Sequence, residues 1–188
     1  IRHKGDIEQL LKVIGYEYRQ IISFQPCPSI DYLKETWKPR ININSRIYTA
    51  IEVKDDRQWR RYYKIGKEEY YKRLLEWVKK AISEGKPLCY LAHDGSVDFY
   101  NFLNLNDINI KLFNCNTANE DDIYNKYSQL HSIICHAGHS QMFSMALGIR
   151  TISMITHPKL QYFCEDFGLL EDAIDVNNNI DKLFTITI

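Results

Sequence analysis

Six short apolar runs, separated by stretches of helical periodicity, follow one another from Arg46 onward, and this alternation constrains the fold more than any other feature. The runs cover residues 47–53, 88–92, 108–113, 132–135, 151–155 and 173–176. Leu88-Cys89-Tyr90-Leu91-Ala92 is apolar throughout, as a strand covered on both faces must be. Between runs, residues 67–83 carry apolar or aromatic side chains at 70, 71, 74, 75, 78, 81 and 82, an amphipathic helix ended by Gly85 and Pro87. Further helices are expected from Ser96 to Leu103, over 119–130 with an acidic start at Asn119-Glu120-Asp121-Asp122, over 140–147 and over 159–167. Strands alternating with helices pair in parallel through right-handed crossovers. The expectation is an α/β protein on a mostly parallel, Rossmann-like sheet with helices on both faces.

The first 44 residues are less regular. A helix capped by Asp6 is expected over 7–14 and stops at Gly15, a short strand over 21–24, and an irregular crossing segment marked by Pro26, Pro28, Trp37 and Pro39 up to about Asn44. A boundary is expected there, dividing residues 1–44, the tail of an N-terminal half plus linker, from a Rossmann-like domain over 45–188. Thr185-Ile186-Thr187-Ile188 reads as a strand-like end, and a chain opening on Ile1 reads as a fragment.

A length of 188 residues suits roughly one domain. Twenty-four basic residues balance twenty-four acidic ones, which argues against a surface that tracks nucleic-acid phosphates. Any anion site must be local. Five scattered cysteines argue against a secreted disulfide framework, no window approaches the ~20 apolar residues of a membrane span, and Arg2, Lys4 and Asp6 stand where a signal peptide needs apolar residues. A cytoplasmic location without a membrane span is the expectation.

In parallel sheets ligands bind beyond the carboxyl ends of the strands, which selects residues 54–57, 92–96, 114–117, 135–139 and 156–159. The strongest local signal is Cys135-His136-Ala137-Gly138-His139-Ser140-Gln141-Met142, where an apolar run turns at Gly138 into a helix whose first N–H groups favour an anion. A helix start contributes only about 0.3–1 kcal/mol, so a phosphate needs cations, and Arg57, His139, His157 and Lys159 are the candidates. His139 suits a general acid or base, a neutral donor to phosphate, or a plain cap. Lys159, just after the helix-starting Pro158, suits an anion contact or a solvated surface. His93 and Asp94 can line the same mouth or simply form a turn with Gly95 and Ser96. Glu165 and Asp166 read as a solvated helical face, with a ribose contact as the alternative. No metal is expected from His131, Cys135, His136 and His139, because the adjacent Cys135 and His136 should point to opposite faces.

Gly138-His139-Ser140-Gln141-Met142, Ala146-Leu147-Gly148-Ile149, Ile152-Ser153 and His157-Pro158-Lys159-Leu160 with Phe163 through Leu169 resemble the polysaccharide pyruvyl transferase family. The opening Arg2-His3-Lys4-Gly5-Asp6, with Leu10-Leu11 and Gly15, is similar to the segment closing that family's N-terminal half. The resemblance implies the C-terminal half of a glycosyltransferase-B-like fold, facing an N-terminal half of the same protein across a cleft. It also implies transfer of a pyruvyl group from phosphoenolpyruvate to a hydroxyl of a sugar or lipid-linked saccharide, for a cell-surface polysaccharide, with no cofactor. By that likeness His139 matches the functional histidine and Lys159 sits near the donor; with the loop reading, Gly138, Ser140, His157 and Arg57 are the other expected donor contacts. The family commonly has an arginine two residues before that histidine where this chain has Ala137, so the resemblance implies that another cation, Arg57 or Arg150, substitutes, that the donor differs, or that this member is a weakened one. Alternatives are a nucleotide-sugar glycosyltransferase and a non-catalytic carbohydrate- or partner-binding module.

Overall fold

The computed structural model describes residues 4–25, 27–93, 96–116 and 118–186. The N-terminal segment forms α1 (Lys4–Ile14), a 3-10 turn over Tyr16–Ile21 and α2 (Pro28–Tyr32). Strands and helices then alternate: β1 (Tyr48–Ile51), the short α3 (Gln58–Arg61), α4 (Lys67–Ser83), β2 (Leu88–Ala92), α5 (Asp98–Leu105) and β3 (Lys111–Asn114). The second half continues with α6 (Glu120–Ser128), β4 (Leu130–Cys135), α7 (Gly138–Leu147), β5 (Arg150–Ile155), α8 (Pro158–Phe167) and β6 (Ala173–Asp175).

The chain is an α/β protein with a Rossmann-like sheet. The strand order is β3-β2-β1-β4-β5-β6, every neighbouring pair is parallel, and the order reverses between β1 and β4. Alternate side chains of the strands enter two separate cores. Ile51, Tyr90, Ile134 and Met154 join residues of α4 and α5 on one face, while Ala50, Cys89, Ile133 and Cys135 join residues of α6, α7 and the 28–37 segment on the other. At ~1.5–3 kcal/mol for each large apolar side chain removed from water, covering both faces is what holds the sheet. Helix α4 has the bounds its periodicity predicts. Its Schellman end explains the stop: Gly85, at φ 73°, lets its own N–H reach the Ile82 carbonyl and the Lys86 N–H reach the Ala81 carbonyl.

Several local expectations are corrected. Residues 21–24 form no strand: Ile21, 74% exposed, ends the 3-10 turn over Tyr16–Ile21, and the segment pairs with neither edge strand. The segment expected to be irregular is helical, with α2 continuing into a π-helical turn over Leu33–Trp37 and a 3-10 turn over Lys38–Arg40. Pro28 sits in the first helical turn, where its missing N–H costs nothing, and Ile30, Leu33 and Trp37 form a stripe buried against the sheet. Pro26 lies outside the described residues. Asp6 falls inside α1 rather than capping it, and Leu130 opens β4 rather than ending α6. The third strand is displaced to Lys111–Asn114, Ile108 and Ile110 packing on the core without pairing. Thr185 and Ile186 follow a 3-10 turn over Ile180–Phe184, not a strand, and Thr187 and Ile188 lie outside the described residues.

Candidate functional site

The reversal of strand order opens a crevice beyond the carboxyl ends of β1 and β4, and a cavity of ≈ 490 Å³ lies there. Three strand-to-helix loops supply its polar side: Lys54, Asp56 and Arg57 after β1, Ala137 to His139 after β4, and His157 with Lys159 after β5. Arg61 of α3 completes it. The opposite wall is apolar, built from Ile30 of α2, Met142 of α7, and Leu160, Phe163 and Phe167 of α8.

Among the described residues lining the cavity, the cations Lys54, Arg57, Arg61 and Lys159 face a single carboxylate, Asp56. Arg61 is held rigidly: Nε donates to the Asp56 carbonyl and carboxylate at 2.9 Å each, and one terminal nitrogen donates to the Thr156 hydroxyl at 2.8 Å. A guanidinium fixed in this way loses little freedom on meeting an anion. Arg57 adopts left-handed backbone at φ 53°, which costs a non-glycine residue on the order of 1 kcal/mol and turns the chain from β1 into α3 beside the cavity. His157 caps α8, its Nδ1 accepting the Lys159 backbone N–H at 3.2 Å. Partial burial, and then the charges of Arg60, Arg61, Lys159 and Arg57, hold its imidazole below the usual histidine range.

The start of α7 is different from what the sequence suggests. Glu52, 1% exposed just past β1, places its carboxylate at the helix start, accepting the Ser140 hydroxyl at 2.6 Å and the Ala137 N–H at 3.2 Å. An internal anion therefore serves the position where an external one was expected, and the side-chain cations become the main attraction for a ligand. Ser140, expected on the donor, is corrected for the same reason: it is fully buried, bound to Glu52, and not part of the cavity wall. His136 lies beneath. Its Nδ1–H donates to the Glu52 carbonyl and its Nε2 accepts the Tyr70 phenol, so the neutral ring is fully satisfied and burial pushes its pKa down to about 3.

His139 is exposed, lines the cavity and stacks on His93 with ring centroids 6.0 Å apart and planes 24° apart. Gly138, His157, Lys159 and Arg57 line the same cavity. Arg150 does not: it sits at the opposite, amino end of β5 and pairs with Asp172 at 3.0 Å, so of the two arginines expected to replace the one absent at Ala137 only Arg57 is near. Glu165 is bonded by Gln161 on the outer face of α8, and Asp166 accepts the Lys4 N–H. Neither lines the cavity. Nor do the described residues of the 92–96 and 114–117 loops, of which Asp94, Gly95 and Thr117 lie outside the described set. Cys135 and His136 enter opposite faces of the sheet, and no group of three metal-ligating side chains converges among the described residues. No described helix is long and apolar enough to cross a membrane.

Two important residues escape sequence reasoning. Glu52 had a signal, a lone carboxylate between Ile51 and Val53 at the end of an apolar run; Arg61 had another, three arginines within five residues at 57, 60 and 61. Compared with models of protein families, with curated proteins and with solved structures, the chain matches none.

Proposed function

We propose that this chain binds a small phosphorylated donor, phosphoenolpyruvate, in the cavity and transfers its pyruvyl group to a sugar hydroxyl. The observation that carries the reading is the lining of the cavity, with Lys54, Arg57, Arg61 and Lys159 against Asp56 alone at the point where the strand order reverses. A donor bearing both phosphate and carboxylate needs fixed positive charge of this kind. His139, exposed at the cavity, supplies the imidazole for the proton transfer such chemistry requires. In the proposed reaction the methylene carbon of the donor takes a proton, the adjacent carbon is attacked by a sugar hydroxyl, and a second hydroxyl displaces phosphate. The products are a methyl-bearing ketal and inorganic phosphate. In a glycosyltransferase-B-like arrangement a second half would face this loop end and present the acceptor, a sugar or lipid-linked saccharide.

A second reading, glycosyl transfer from a nucleotide sugar, takes support from Phe163 and Phe167, whose rings lie 4.6 Å apart on the apolar wall and offer a base a surface. It loses its ribose ligand, since Glu165 is bonded elsewhere.

The test is release of inorganic phosphate from phosphoenolpyruvate in the presence of a panel of hexopyranosides, for the native chain and His139→Ala. Release that needs an acceptor and falls about 10²–10⁴-fold in the variant is expected, the usual loss for a general acid. Acceptor-dependent release that His139→Ala leaves intact would refute the role given to that residue.

A further inference from the structure

The stack behind His139 is unusually well tied down. His93 follows β2, and its Nδ1 lies 2.8 Å from the hydroxyl of Tyr127. Phe143 packs edge-on at 5.4 Å and is itself backed by Trp37 and tilted against Tyr127. His139 covers another side of the ring. His93 is therefore enclosed by three aromatic rings and anchored at one nitrogen.

Proton accounting gives the direction of that anchor. Tyr127 is fully buried, in surroundings that hold its phenol protonated, with the Glu52 charge adding to the effect of burial. A buried O–H must be donated, and the near partner of the Tyr127 hydroxyl is His93 Nδ1 at 2.8 Å, with the Ser140 hydroxyl as a second neighbour acting on the phenol. The neighbouring Ser140 hydroxyl gives its own proton to Glu52. Nδ1 is then the acceptor, and the ring proton of His93 resides on Nε2.

We propose that His93 is a positioning residue for His139: Tyr127 locks it as the neutral Nε2–H imidazole, an oriented, uncharged surface on which the His139 ring is held toward the cavity. The activity part of this inference rests on the transfer reading above; the structural part does not. It also assigns Tyr127, distant in sequence and outside the cavity wall, a part in setting the geometry of the mouth.

Long-range proton–nitrogen NMR on the native chain tests the lock directly, with His93→Gln identifying the resonances. The expected spectrum shows His93 as one tautomer, Nε2–H with a hydrogen-bonded Nδ1, and His139 ring protons shifted by the facing ring. Tyr127→Phe, which keeps the ring and removes only the hydroxyl, should return His93 to a tautomer mixture and move the His139 ring signals. In the phosphate-release assay the same variant should lose about tenfold in kcat with the KM for phosphoenolpyruvate unchanged. An Nδ1–H tautomer in the native chain would overturn the inference, as would a Tyr127→Phe spectrum identical to the native one. If the native chain turns over no donor, the transfer reading falls, and the tautomer still decides this inference.

Discussion

Glu52→Leu is expected to lower the melting temperature by roughly 6–12 °C, while Glu52→Gln lowers it by less than half as much. The leucine fits a site of similar size but leaves the Ala137 N–H and the Ser140 hydroxyl buried without an acceptor. Each orphaned donor costs about 1–3 kcal/mol, and a total near 3 kcal/mol corresponds to ~2–4 °C per kcal/mol in a domain of this size. Glutamine keeps a carbonyl oxygen at the helix start and loses mainly the charge. The competing effect is desolvation, since replacing a buried charge by an apolar group is often neutral when a counter-ion goes with it. In Glu52→Leu the Ala137 N–H and the Ser140 hydroxyl that the carboxylate accepts both stay behind. A Glu52→Leu protein as stable as the native one would show that desolvation cancels the cap, and would refute the description of α7 as started by an internal anion.

Acid should unfold the protein early, through His136. Its folded-state pKa, about 3, lies below the ordinary histidine value of roughly 6.5, so between those values the unfolded state binds the extra proton. Stability from this group is fully present above pH ~6.5 and is lost progressively as pH falls toward 3. The linkage amounts to about 2 kcal/mol between pH 7 and pH 5, a window above most carboxylate titration. His157, also lowered, adds in the same sense. Urea midpoints measured at pH 7, 6 and 5 should fall accordingly. His136→Gln should flatten most of the slope, whatever its stability at pH 7. An unchanged slope in His136→Gln would mean that the ring is already charged in the fold or is not sealed under Tyr70 and the Glu52 carbonyl.

The sheet was largely legible in the sequence because a buried parallel strand cannot hide: Leu88 to Ala92 has no polar position on either face, and α4 repeats its apolar residues for 17 residues between clear stops. Residues 1–44 are harder to read, because proline marks a helix start as well as a break. Pro28 begins a helix, and the stripe of Ile30, Leu33 and Trp37 is short enough to pass as irregular. At the site, the three loops that converge were among the five selected, since the carboxyl-end rule depends only on strand direction. Which three converge depends on strand order, and order is set by long-range pairing that no local pattern encodes. Glu52 and Ser140 show the same limit: 88 residues separate the hydroxyl from the carboxylate it needs, so Ser140 looked like a ligand contact until its partner was visible.

Ligand-induced stabilisation tests the central claim, that the cavity lined by Arg57, Arg61 and Lys159 takes a phosphorylated donor. Melting curves of the native chain and of an Arg57→Ala, Lys159→Ala variant would be recorded against phosphoenolpyruvate and, in parallel, a uridine diphosphate sugar. Saturation at 100 times Kd stabilises the native protein by about 2.7 kcal/mol, and losing charge-assisted contacts weakens binding by roughly 10- to 100-fold each. The account predicts a clear upward shift with phosphoenolpyruvate, larger than with the nucleotide sugar, that is absent in the variant at the same concentration. A shift of equal size in the variant, or none in the native chain at millimolar phosphoenolpyruvate, would contradict it.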